Sequence, residues 1–97
     1  MFVVILTYAG SLDVVDGLLE EHIRFLQENY DKGVFLLSGP QNPRKGGVIL
    51  ARAESREALM DVLINDPFWR EGAARYEVVE FVANMGTPEC AGLVEKA

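Results

Sequence analysis

Cysteine is almost absent from this 97-residue chain: Cys90 stands alone, and there is only one histidine, His22. No intrachain disulfide can form and no Cys/His spacing of a structural zinc site exists, so the fold must rest on its core. Positive charge is scarce as well, with 9 Lys and Arg against 15 Asp and Glu and a formal net charge of −6. Such a field repels phosphate backbones, and no basic stripe or base-stacking aromatic motif offsets it, which argues against a nucleic-acid ligand. Long hydrophobic runs are missing too. The most apolar stretch, MFVVILTYAG, is too short to span a bilayer and has no cationic residues ahead of it. It therefore reads as a strand, no membrane association is expected, and a cytoplasmic location is the default. Phosphate-cradling glycine loops, HExxH helices, EF-hand loops and nucleophilic-triad spacings do not occur, so the expected site has neither a metal nor a nucleotide cofactor.

What the chain does have is 49% hydrophobic residues, enough for one small domain whose modest burial invites a partner subunit. Phe2 to Tyr8 is a nearly unbroken β-branched and aromatic run, the pattern of a central strand. Ser11 is a fitting N-cap for a helix over residues 12–31, along which Val15, Leu18, Leu19, His22, Phe25, Leu26 and Tyr30 recur at helical spacing, and Gly33 ends it. Val34 to Ser38 reads as a second strand, with Gly39-Pro40 opening a polar loop through Gly47. Val48 to Arg52 follows as the antiparallel third strand. Ser55 caps a second helix carrying Leu59, Val62 and Leu63, and Asn65-Asp66-Pro67 stops it because a residue before proline avoids the α region. Tyr76 to Val82 completes the set, and residues 84–97 form a polar tail outside a single domain of residues 1–83.

The order β-α-β-β-α-β predicts an α+β fold of the ferredoxin-like type, with two helices on one face of a four-stranded antiparallel sheet. Yet the first strand is apolar on both sides, Phe2, Val4, Leu6 and Tyr8 against Val3, Ile5 and Thr7, and the second repeats this with Val34 and Leu36 against Phe35 and Leu37. An uncovered face of that kind predicts a homodimer packed sheet on sheet.

His22, the Ser38-Gly39-Pro40 triplet, Asp66-Pro67-Phe68, Gly72 and the Tyr76-Glu77-Val78 strand, in this order and spacing, resemble the YciI-like (YCII-related) family over roughly residues 1–83. The resemblance implies a dimeric α+β barrel. It also implies a small-molecule enzyme with a His/Asp pair in a pocket, which falls here on His22 and Asp66, with Ser38, Gly39 and Pro40 as the pocket wall. Broader relatives with this barrel include isomerases, lyases and small monooxygenases acting on aromatic-degradation or quinone-like compounds.

Each of these residues also has a plainer role. His22 lies on the apolar stripe of the first helix, where it is either a packed core imidazole or a proton shuttle suited to neutral pH. Asp66 either bonds nearby backbone N–H groups or orients the imidazole. With the two helices antiparallel, His22 and Asp66 differ in height by on the order of 7 Å across the sheet, which two side chains nearly bridge. Ser38, Gly39 and Pro40 serve turn chemistry or face a ligand carbonyl or oxyanion. Arg44 is either a solvated loop charge or an attractor of an anionic substrate. The expected function is a cofactor-free isomerase or lyase acting on an unidentified small molecule. Its alternatives are a non-catalytic metabolite-binding or structural dimer and a cofactor-free monooxygenase.

Overall fold

A strand that is apolar on both faces belongs in the middle of a sheet, and β1 (Phe2–Tyr8) lies there. The computed structural model describes residues 1–95. Four antiparallel strands, β1, β2 (Phe35–Pro40), β3 (Gly46–Ala51) and β4 (Ala74–Glu80), stand in the order β2-β3-β1-β4. Helices α1 (Leu12–Asp31), α2 (Arg56–Leu63) and α3 (Pro67–Arg70) share one core with the inner face of this sheet. This is the ferredoxin-like α+β fold.

Local chemistry sets the helix ends. The Ser11 hydroxyl accepts the Val14 N–H and the Ser55 hydroxyl the Ala58 N–H. Gly33, at φ +74°, supplies the left-handed residue beyond the last turn of α1. Along α1 the buried positions are Val15, His22, Phe25 and Asn29. Asn29 takes the inner place expected for Tyr30, because its side chain donates to the Phe25 carbonyl while its own carbonyl accepts the Val34 N–H.

The second strand departs from the expected Val34 to Ser38. It runs on through Gly39 and Pro40, paired with Val48 and Gly47, so these two residues belong to the ladder rather than the loop. Pro40 is tolerated because β2 is an edge strand, where a missing N–H leaves no central bond unmade. The expected alternation also breaks. A register shift between Phe35 and Leu37 places Phe35 opposite Ala51 and Leu37 opposite Leu50, which makes Leu36 an extra residue and reverses every side chain beyond it. Phe35 points inward, Leu37 stands 68% exposed on the open face, and Ser38 turns inward opposite the buried Ile49.

The third strand starts earlier than expected, at Gly46, opposite Thr7. A Cβ built on Gly46 would lie 1.7 Å from the Leu6 carbonyl oxygen, so only glycine lets β3 approach β1 there. The fourth strand begins at Ala74 instead of Tyr76, with Ala74 opposite Tyr8. Of the expected tail, Pro88–Leu93 form an exposed 3₁₀ helix, Glu95 reaches the Met1 amino group at 2.7 Å, and residues 96 and 97 lie outside the described residues. No helix among the described residues is long and apolar enough to cross a membrane.

Candidate active site

Small residues at one end of the inner sheet face leave room under α1. Two cross-strand rows, Pro40–Gly47–Leu6 and Ser38–Ile49–Val4, present few bulky side chains toward Leu19, Ile23 and Leu26 of α1. At the other end the Phe25 and Phe35 rings meet edge to face at 5.6 Å and fill the core. The unfilled end is a cavity of about 320 Å³, large enough for a single-ring molecule.

His22 stands at this cavity because it occupies the buried stripe of α1. Asp66 reaches it through the Asp-Pro break: Pro67 forces Asp66 into an extended conformation (φ −68°, ψ 128°), which ends the helical path and turns the carboxylate inward to complete burial. Asp66 then caps α3. Its Oδ1 accepts the Phe68 N–H at 3.0 Å and the His22 Nδ1–H at 2.8 Å, while Oδ2 accepts the Tyr76 hydroxyl at 2.6 Å. Backbone capping and orientation of the imidazole, the two alternative roles of this side chain, are carried by the same oxygen.

The carboxylate can only accept, so Nδ1 carries the proton and Nε2 keeps its lone pair. Nε2 has no hydrogen-bond partner among the described residues and is not sealed from solvent, which leaves it to the cavity. The ring itself is clamped: Phe68 stacks on it at 4.0 Å and 11°. Tyr76 closes the network from behind. Burial, helped by the neighbouring Asp66 carboxylate, pushes its hydroxyl far above the ordinary tyrosine range, so it remains a donor at any working pH.

Ser38, Gly39, Pro40 and Arg44 all line the cavity with His22, whereas Asp66 stands behind the imidazole and does not. The Ser38 hydroxyl is bonded to that of Tyr30. Arg44 donates through Nη2 to Asp16 Oδ1 at 2.7 Å, and its guanidinium lies 5.5 Å from the centre of the Tyr8 ring. Arg70 is instead taken up by Glu21, across the α1–α3 contact. Among the described residues no three His, Cys, Asp or Glu side chains gather closely enough to hold a metal ion.

The model of the YCII-related domain matches residues 1–82. The chain belongs to that family. Among solved structures, this YCII-related domain is similar to 5-chloro-2-hydroxyhydroquinone dehydrochlorinase from Burkholderia phenoliruptrix AC1100, determined in complex with 2,5-dihydroxybenzoquinone. The TM-score is 0.69 at 22% identity, over 84% of this chain and 93% of that one, a likeness of fold. No curated protein matches the sequence.

Two members of the site have only a faint signal in the sequence. Asp16 sits at i, i+3, i+7 and i+10 with Leu19, Ile23 and Leu26, the stripe that faces the cavity, and that spacing is the one available sign. Tyr76, as the expected first residue of the fourth strand, reads as a pocket-rim residue, but it lies two residues inside β4 and its pairing opposite Leu6 on the inner face aims it at Asp66.

Proposed function

We propose that this protein is a cofactor-free acid–base enzyme, an isomerase or lyase acting on a small, largely apolar ring compound. One observation carries the reading: a wholly buried carboxylate holds His22 Nδ1 at 2.8 Å, leaving the bare Nε2 as the proton acceptor of an apolar cavity. His22 is the catalytic base and conjugate acid. Asp66 and Tyr76, which the cavity does not touch, are positioning residues that hold the tautomer and the ring angle.

In such a site Nε2 takes a proton from a hydroxyl or an acidic C–H of the ring, and the electron pair spreads into an enolate or phenolate. Isomerisation follows when the imidazolium returns the proton to a different atom. Elimination follows when a leaving group departs with its bonding pair. On a chlorinated hydroquinone, one hydroxyl proton passes through Nε2 to the chlorine-bearing carbon. Chloride then leaves with the C–Cl pair and a second hydroxyl proton is lost, giving a quinone with no external oxidant. The fold shared with a dehydrochlorinase supports this branch.

The working unit is a cytoplasmic homodimer joined through the open sheet face. Two cross-strand rows on that face, Leu37–Leu50–Val3–Val79 and Gly39–Val48–Ile5–Glu77, are apolar except for Glu77. Leu37, Val48 and Val79 are exposed there, a patch that sheet-on-sheet packing would cover.

The test is turnover. The wild-type protein is incubated with 5-chloro-2-hydroxyhydroquinone and related haloquinols, and chloride release and quinone absorbance are recorded. Turnover that falls about 100-fold or more in a folded His22→Gln variant supports the reading. Chloride release no faster than in buffer across the set refutes the lyase reading and leaves isomerisation or a non-catalytic ligand pocket.

A further inference from the structure

Charge in the cavity is concentrated in one pair. Arg44 is the single cationic side chain among the described residues that line it, and its partner Asp16 lines the same cavity. The pair joins the β2–β3 loop to the first turns of α1, beside the cavity that His22 also lines.

Two features make this pair exchangeable. The contact is single-pronged, Nη2 to Oδ1, so most of the guanidinium's fork of donors is unused, although arginine binds carboxylates and similar anions best through two parallel bonds. Both side chains are also about half exposed, 40% and 54%, a setting in which an ion pair contributes little. Two further contacts fix where the charge sits. The Tyr8 ring supports the guanidinium at 5.5 Å, and Asp16 and the Tyr8 hydroxyl together raise the affinity of Arg44 for its proton, so the charge is permanent.

We propose that the cavity selects ring compounds carrying an oxyanion, either an ionised ring hydroxyl or a carboxylate, and that Asp16 is a stand-in that such an oxyanion displaces from Arg44. The inference rests on the cavity being the ring-binding site of the proposed function and adds the charge of its ligand. In a chain of net charge −6, Asp16 neutralises Arg44 while the site is empty and discourages stray anions. An anion that also presents a flat apolar ring to Phe68 and Leu19 gains contacts that a simple salt ion lacks, so the exchange favours it. In the bound state Arg44 would hold the negative charge that proton transfer to His22 creates, which ties recognition to the proposed chemistry.

The probes are 4-nitrophenol, above its pKa, and nitrobenzene, a neutral ring of nearly the same shape. Binding is followed by the shifts of the His22 ring signals, which report occupancy without any turnover. The expected result is that nitrophenolate binds about tenfold more tightly than nitrobenzene. Arg44→Gln removes that preference. Asp16→Asn, which takes away the competing charge and leaves a neutral side chain of the same size, tightens nitrophenolate about two- to fivefold and leaves nitrobenzene unchanged. Equal binding of the two rings to the wild-type protein, an unchanged preference in Arg44→Gln, or weaker nitrophenolate binding in Asp16→Asn would each overturn the proposal while sparing the acid–base reading. If neither ring perturbs His22, the ring-binding cavity falls, and the proposed function with it.

Discussion

Replacing Tyr76 by phenylalanine removes one oxygen and nothing else, and the contacts of that oxygen are well defined. It donates at 2.6 Å to Oδ2 of a carboxylate with no solvent exposure, whose other oxygen is already occupied by the Phe68 N–H and by His22. No second donor to Oδ2 is present among the described residues, so the variant leaves that oxygen without a partner. A hydrogen bond to a charged group contributes about 1.5 to 3 kcal/mol, and the partial exposure of this one favours the lower end. For a domain of this size, about 1.5 kcal/mol lowers the midpoint of thermal unfolding by about 6 to 12 °C. A second signature separates this cause from lost packing. The folded state holds the Tyr76 proton more tightly than the unfolded chain, whose tyrosines release theirs near pH 10. Above that pH the unfolded state binds fewer protons, and stability falls as pH rises. The contribution of Tyr76 is therefore fully present at neutral pH and lost in the alkaline range. Differential scanning calorimetry of both proteins from neutral pH to about pH 11 should show a gap that is widest near neutrality and narrows above about pH 10. A midpoint within about 2 °C of wild type, or a gap of constant size, would refute the reasoning.

Four further outcomes follow from the same contacts. Nitrogen-15 NMR of the single histidine should show the neutral ring protonated at Nδ1, and Asp66→Ala should transfer the proton to Nε2; an Nε2–H tautomer in the wild-type protein would remove the proposed base. Gly46→Ala places a methyl group where the Leu6 carbonyl stands, so the β1–β3 pairing must open, with an expected loss of about 3 kcal/mol or more in urea unfolding; a loss below about 1 kcal/mol would contradict that packing. Light scattering at micromolar concentration should return a dimer mass, and Leu37→Lys, which puts a charge on the most exposed leucine of the open face, should shift it toward the monomer. Ser38→Ala should leave the fold intact, lowering the midpoint by less than about 5 °C, because the hydroxyl pairs only with the half-exposed Tyr30; a larger drop would place Ser38 in the structural network.

The parts of this molecule that periodicity encodes are legible in the amino-acid sequence alone. The two-sided apolar run of β1 marks a central strand, the spacing along α1 brings His22 inward, and Asp66-Pro67 marks the turn from which the carboxylate returns to the imidazole. Each depends on residues close in sequence, where backbone sterics and side-chain period decide the outcome. What is not legible depends on pairing across the sheet. Nothing within Val34 to Pro40 signals that Leu36 is bulged; the bulge is set by how β2 meets β3, and β3 can approach β1 only because Gly46 has no side chain. That non-local choice reverses Leu37 and Ser38, sending a leucine to the open face and a hydroxyl into the cavity. The cavity and the exposed patch thus share one cause. A β2 that kept Leu36 but paired it regularly, Leu36 opposite Leu50 and Leu37 opposite Ile49, would turn Leu37 into the space above Ile49 and Ser38 toward the open face, filling the site and making the open face more polar in a single change. Removing Leu36 takes out the unpaired residue and keeps Leu37 opposite Leu50 and Ser38 opposite Ile49, so the shortened protein should still bind small rings at His22 and self-associate at the same concentration; loss of both would refute this reading of the bulge.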